Sequence, residues 1–151
     1  MPYKKILCPI GHEENSRAAF ETATRLARES HATLYLVHVV ALPPSIVSES
    51  VLLDDRGRAH NALQRLAEQL PAALSRVIIV RFGNPAREIT ALAHRIGADL
   101  IVMGTHGRST IARLLHGSIA EKVIARAPCP VLALPPDTVA EAQDAASSQA
   151  A

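Results

Sequence analysis

Residues 98–118 read ADLIVMGTHGRSTIARLLHGS, and the join between the apolar and glycine-rich parts of this stretch decides the fold. Leu100 to Met103 form an apolar run too short for a helix and closed by a glycine, the pattern of a strand buried on both faces. Three of the chain's seven glycines, Gly104, Gly107 and Gly117, follow within a few turns of chain. Glycine at that density marks unusual backbone geometry or the close approach of a visitor. Ser118 then opens SIAEKVIARA (118–127), whose apolar positions recur at helical spacing. The stretch therefore reads as a strand, a glycine-rich connection and a helix.

The same alternation extends in both directions. KKILCPI (4–10) is a buried-strand pattern, and ENSRAAFETATRLARES (14–30) is helical, with Ala19, Ala23, Leu26 and Ala27 on one face. ATLYLVHVV (32–40) is a second strand, followed by the proline-containing loop ALPPSIVSES (41–50). A second helix is expected from about Asp55 to Leu70, where Ala59, Leu63, Leu66, Ala67 and Leu70 mark a stripe. RVIIVRFG (76–83) is a third strand. Asn84 then caps a third helix whose first position is Pro85, where a missing N–H costs least, and whose buried stripe is Ile89, Leu92, Ala93 and Ile96. CPVLALP (129–135) is the fifth strand.

Five β runs separated by α patterns predict an α/β three-layer sandwich, a five-stranded parallel sheet with helices on both faces in a flavodoxin-like or Rossmann-like arrangement. Residues 1–136 make one domain, and the Ala-, Ser- and acid-rich tail 137–151 has no apolar periodicity and is expected to be disordered. In such sheets ligands bind beyond the carboxyl ends of the strands, where the direction of strand addition reverses. If the first strand lies between the second and fourth, that crevice is flanked by the loops after Pro9 and after Met103. The glycine-rich segment emerges there.

Composition removes several classes of function. The net charge is +2 from 16 basic and 14 acidic residues spread along the chain, and aromatic residues make up 3%, too little field and stacking surface for a nucleic-acid platform. No apolar run is long enough to span a membrane, and MPYKKILCPIG lacks the features of a signal peptide, so no membrane partner and a cytoplasmic location are expected. Cys8 and Cys129 form no CxxC and lie in apolar segments, where a buried, unreactive thiol is the ordinary reading. With strand four between them they lie too far apart for a disulfide. The seven histidines show no tight ligand pair, so no metal site built from side chains is expected. His38, ending a strand, reads as a packing residue rather than a base.

A turn through Gly104 and Gly107 followed by a helix beginning at Gly117-Ser118 presents backbone N–H groups and a helix N-terminus to one crevice, a combination that attracts phosphate. Part of this has a purely structural reading: Ser118 with Glu121 is a capping box, and Gly117 can serve as a turn residue. Turn chemistry alone does not require the other glycines. Neither a Walker loop nor G-x-G-x-x-G after the first strand occurs, which excludes the common ATPase and dinucleotide motifs.

What fits is G-x2-G-x9-G-S, read as Gly104, Gly107, Gly117 and Ser118. This resembles the nucleotide-binding signature of the universal stress protein family, and the resemblance runs from residue 3 to about 135 through KKILCPI, LVHVV, GNPAREI, ADLIVMGTHGRS and GSIAEKVIARAPCPVLALP. It implies the adenine nucleotide alpha-hydrolase-like form of the sandwich, a homodimer through the last strand, and ATP or a related adenine nucleotide bound in some members. By the same resemblance Pro9 and Ile10 would line the ribose end, Val39 and Met103 the adenine, and Gly104, His106, Gly107, Gly117, Ser118 and Ile119 the ribose and phosphates. Mg²⁺, if it accompanies the nucleotide, would be held mainly by phosphates.

One departure stands out. ATP-binding relatives usually continue the first strand as P-x-D-x-S, whereas PIGHEENS puts Gly11 at the Asp position and Glu13 at the Ser position. The nucleoside clamp has lost its acid, and Glu13 near phosphate would repel it. The expected function is regulatory binding of an adenine nucleotide in a stress response, because no general base or metal-binding carboxylate stands beside the phosphate segment. The alternatives are a slow ATPase or phosphoryl-transfer protein using a water near Ser118 or His106, and a dimeric scaffold that binds no nucleotide. The apolar last strand, with Val131 and Leu132, would leave an edge that association covers.

Overall fold

Every apolar run becomes a strand and every helical pattern a helix in the computed structural model, which describes residues 2–11, 17–42, 45, 47–105 and 118–135, with Ser118 described through its backbone. The order is β1 (Lys5–Pro9), α1 (Arg17–Ser30), β2 (Thr33–Val40), α2 (Glu49–Glu68), β3 (Arg76–Phe82), α3 (Pro85–Ile96), β4 (Leu100–Gly104), α4 (Ser118–Arg126) and β5 (Val131–Leu134). All strand pairs are parallel, in the spatial order β3-β2-β1-β4-β5. The expected tail 137–151, residues 12–16 ahead of α1 and the segment 106–117 lie outside the described residues.

Strand periodicity sorts the core into two layers. Ile6, Cys8, Leu34, Leu36, Leu100 and Val102 point to one side, where Ala19, Ala23 and Ala27 of α1 and Leu63 and Ala67 of α2 cover them. Leu7, Val37, Ile101 and Met103 point to the other, against Ile89, Leu92 and Ala93 of α3 and Ala120 and Val123 of α4. Small residues on α1 let that helix sit close to the sheet. The central strands are apolar on both faces, as a sheet covered on both sides requires.

Local signals in the sequence are realised at α3. The Asn84 side chain accepts from Arg87 N–H at 3.1 Å, Pro85 opens the helix, and Gly97 ends it in the left-handed conformation at φ 67°. At α2 the structure departs from the expectation. The helix begins at Glu49 rather than near Asp55, because its first turns carry exposed Val51 and Leu53 and so show no buried stripe for periodicity to detect. Glu49 in the first turn complements the helix dipole instead. At the other end of α2 the Arg76 guanidinium donates to the carbonyls of Ala67, Leu70, Pro71 and Ala72, tying the exit of the helix to the start of β3.

At the amino end of the sheet, Asp99 latches the two central strands. Its carboxylate accepts from the N–H groups of Lys4 and Lys5 at 2.7 and 2.8 Å, while Lys5 Nζ donates to Ile96 O at 2.9 Å. Those backbone hydrogen bonds, from Lys5 first and then Lys4, hold the Asp99 carboxyl below the ordinary carboxylate value. Both cysteines are free, as expected. Cys8 is fully buried on β1, but Cys129 is only half-buried, because it sits in the turn before β5 at the sheet edge rather than within the ladder. Among the described residues no helix is long and apolar enough to cross a membrane.

Candidate functional site

The crevice is a consequence of strand register. β1 stops at Pro9, which pairs with Val37, whereas β2 continues to Val40, three residues farther. At about 3.3 Å per residue this leaves a notch about 10 Å deep on the β2 side of β1. From β1 the chain leads to α1 on one face of the sheet, and from β4 it leads to α4 on the other. The helices that follow β1 and β4 thus lie on opposite faces, and the strand order reverses between these two strands.

The floor of the notch is pinned. Ile10 N–H donates to Val37 O at 2.7 Å, and Ile10 O lies 2.7 Å from His38 Nδ1. Since a carbonyl only accepts, His38 carries its proton on Nδ1. His38 is buried and lies within β2, two residues short of its end, so the expectation that it ends the strand is corrected: the imidazole is held inside the sheet and reaches across to β1. The other wall is anchored at Thr105, which is buried and donates both its N–H (2.9 Å) and its hydroxyl (3.2 Å) to Leu134 O of β5. Thr105 immediately follows Gly104, so the take-off point of the glycine segment is fastened to the sheet edge. Sequence reasoning singled out neither role. The T-H-G run after β4 was a signal for Thr105, whereas His38 meets a partner 28 positions away and gave none.

Among the expected site residues, Val39 and Met103 are brought to the same face of the sheet, on the α3 and α4 side, with Met103 buried and Val39 half-buried. Ile10 packs instead with the core on the α1 and α2 side, and Pro9 is half-buried at the last paired position of β1. Gly104 is half-buried at the end of β4, level with Leu134 of β5. Ile119 is in the first turn of α4 and 41% exposed, not packed into either core. Gly11 is exposed. His106, Gly107, Gly117 and the Ser118 side chain lie outside what the structure describes, as does Glu13.

The described rim thus offers apolar walls from Val39 and Met103, a glycine at each strand exit and no carboxylate. Those features fit an aromatic base between apolar side chains and a sugar-phosphate passing close to backbone. Among the described residues no group of three His, Cys, Asp or Glu side chains converges as a metal site.

The chain is similar to known proteins over most of its length. The model of the universal stress protein family matches residues 2–135. A universal stress protein of Methanocaldococcus jannaschii is 36% identical over 141 residues, covering 86% of this chain and 81% of its own. Among solved structures, the universal stress protein UspA from Lactobacillus plantarum superposes with TM-score 0.75 at 27% identity, covering 89% of this chain and 99% of that one. A universal stress protein in complex with cAMP superposes with TM-score 0.67 at 25% identity, covering 91% of this chain and 100% of that one.

Proposed function

The chain belongs to the universal stress protein family, and from that premise we propose that it binds an adenine nucleotide, ATP or a close relative, as a regulatory ligand in the cytoplasm. The observation that carries this reading is positional. The signature G-x2-G-x9-G-S starts at Gly104, the last residue of β4, beside the notch left by the short β1. A related universal stress protein solved in complex with cAMP supports the ligand class.

In this reading Val39 and Met103 receive the adenine, Pro9 and Ile10 border the ribose, and Gly104, His106, Gly107, Gly117, Ser118 and Ile119 border the ribose and phosphates. The nucleotide supplies its phosphate charge, with Mg²⁺ carried on the phosphates. The chain supplies the floor, where two hydrogen bonds on Ile10 hold the end of β1. It also supplies a fixed exit for the phosphate segment at Thr105. Nothing on the described rim is placed to deprotonate a water, which favours binding over turnover. Gly11 leaves the nucleoside without an acidic partner, so affinity is modest.

Native mass spectrometry and calorimetry test the reading. Wild-type protein should bind ATP. Gly11→Asp should tighten binding about 10- to 150-fold through a charge-assisted hydrogen bond. Gly117→Val should abolish binding in both backgrounds by filling the space where phosphate approaches the backbone. A folded valine variant that still binds, or a wild type and Gly11→Asp that both bind nothing, overturns the assignment. Phosphate release that disappears with Ser118→Ala would instead establish a slow ATPase.

A further inference from the structure

β3 is the outer strand on the side of the sheet away from β5, two strands from β1 and the notch. The bonds Leu34 N–H to Ser75 O (2.9 Å) and Gly83 N–H to Val40 O (3.0 Å) fix the phase of its ladder with β2. In a parallel pair alternate residues bond to the neighbour, so Val77, Ile79 and Arg81 face β2. The N–H and C=O groups of Ile78, Val80 and Phe82 face away from the sheet.

Those groups open into a groove of about 480 Å³ lined by Ile78, Ile79 and Val80 of β3 and by Leu53, Arg56, Gly57 and His60 of α2. The α2 residues are spaced along one helix face. The acidic neighbours Asp54 and Asp55 are not on it, so its polar groups are an arginine and a histidine. Arg56 sits over the Phe82 ring, 5.8 Å from its centre, and among the described residues no carboxylate pairs with it or with His60.

Gly57 is the second independent feature. A glycine inside a helix costs about 0.5–1 kcal/mol relative to alanine. Here the fold does not ask for it: Gly57 has no left-handed backbone, and a Cβ would meet nothing within 4 Å. Its lack of a side chain keeps the groove wall low where another chain would lie.

We propose that this groove takes an extended segment of a partner protein by strand addition to β3, apolar where it faces Leu53, Ile78 and Val80 and bearing a carboxylate opposite Arg56. Main-chain bonds to Ile78, Val80 and Phe82 supply register, the apolar floor supplies burial, and the unpaired cation selects acidic sequences. A neutral or basic strand leaves Arg56 without a counter-charge, and a helix cannot use the open edge.

The test is a titration of the isotope-labelled full chain with the capped peptide Thr-Val-Thr-Asp-Thr-Val-Thr, whose two valines and aspartate share one face of an extended strand, read by amide chemical shifts. Shifts should concentrate at Ile78, Val80, Phe82 and residues 53–60. Gly57→Leu and Val80→Pro should each weaken binding about tenfold or more, as should lysine in place of aspartate in the peptide. Proline at Val80 removes an N–H that the internal ladder does not use. The same peptide N-methylated at alternate residues, which cannot pair along its main chain, should not bind. The proposal is overturned by absence of shifts at about 1 mM peptide, or by equal binding of the N-methylated peptide. Amides of Ile78 and Val80 already protected in the free protein by a second copy would also overturn it.

Discussion

His31 and Gly97 occupy the same backbone state at the ends of two helices. His31 follows α1 with φ 55°, and Gly97 follows α3 with φ 67°. Only glycine adopts that left-handed state without a Cβ penalty of roughly 1 kcal/mol. Gly97→Ala should therefore destabilise the protein by about 1 kcal/mol even though its Cβ would meet nothing within 4 Å. His31→Gly should be neutral or stabilising. Denaturant unfolding of both variants measures the difference directly. The cysteines allow a second comparison. Burial pushes the Cys8 thiol up to about 12, and Cys129, half-buried and near the Asp99 charge, is raised as well. Burial thus both disfavours the Cys8 thiolate and keeps reagent from the sulfur. A thiol reagent should label Cys129 slowly in the native state and Cys8 only after unfolding; rapid double labelling of native protein would contradict the buried position of β1.

At the scale of elements, the latch between β1 and β4 makes a pH-dependent contribution of known sign. The folded Asp99 carboxyl is lowered from its ordinary value of 3.8 by the N–H groups of Lys5 and Lys4. Its stabilisation is therefore complete above that value and is lost as pH falls through the lower folded one. Relative to Asp99→Asn, the wild type should hold a constant advantage from neutral pH to about pH 5 that shrinks at lower pH. Because the carboxylate is exposed, that advantage should be about 1 kcal/mol or less. Urea unfolding across that range measures it. This latch was not legible in the sequence, since Asp99 reads as an ordinary turn residue until β1 is placed beside β4. The strands themselves were legible because burial on both faces leaves unbroken apolar runs such as Leu100–Met103. The third helix was legible because Asn84 and Pro85 act on adjacent backbone and Ile89, Leu92 and Ala93 keep one buried face. The first turns of α2 were not, because exposed Val51 and Leu53 break the link between helical spacing and burial. In the candidate site, Val39 and Met103 were named through the family resemblance, and the His38 bond to Ile10, which depends on register between strands, had no signal in the sequence.

For the whole molecule, the two sheet edges differ. β5 is four residues long, and Leu132 on it is 36% exposed. The bonds Ile101 N–H to Pro130 O and Thr105 N–H to Leu134 O leave Val131 and Ala133 with outward backbone groups. An apolar open edge of this kind favours pairing with a second copy. We expect a homodimer through β5: sedimentation equilibrium should give a dimer for the wild type and a folded monomer for Leu132→Arg. A wild type that is monomeric at high micromolar concentration would remove β5 as the interface and would leave the nucleotide assignment untouched, since the notch is formed by β1, β2 and β4 within one chain.

The central place of β1 has a kinetic consequence. It is the first strand synthesised, yet Ile6 and Leu7 meet Leu100 and Ile101 only after most of the chain exists. A nascent chain can pair β1 with β2 and β2 with β3 and cover one face with α1 and α2, but the β4 side of β1 stays open meanwhile. At synthesis rates of about 5–20 residues per second this exposure lasts several seconds. Ile6, Leu7 and Cys8 then form an unpaired apolar edge in a half-built sheet, so refolding yield should fall with protein concentration, and the lost fraction should be rescued by a chaperone that shields strand edges.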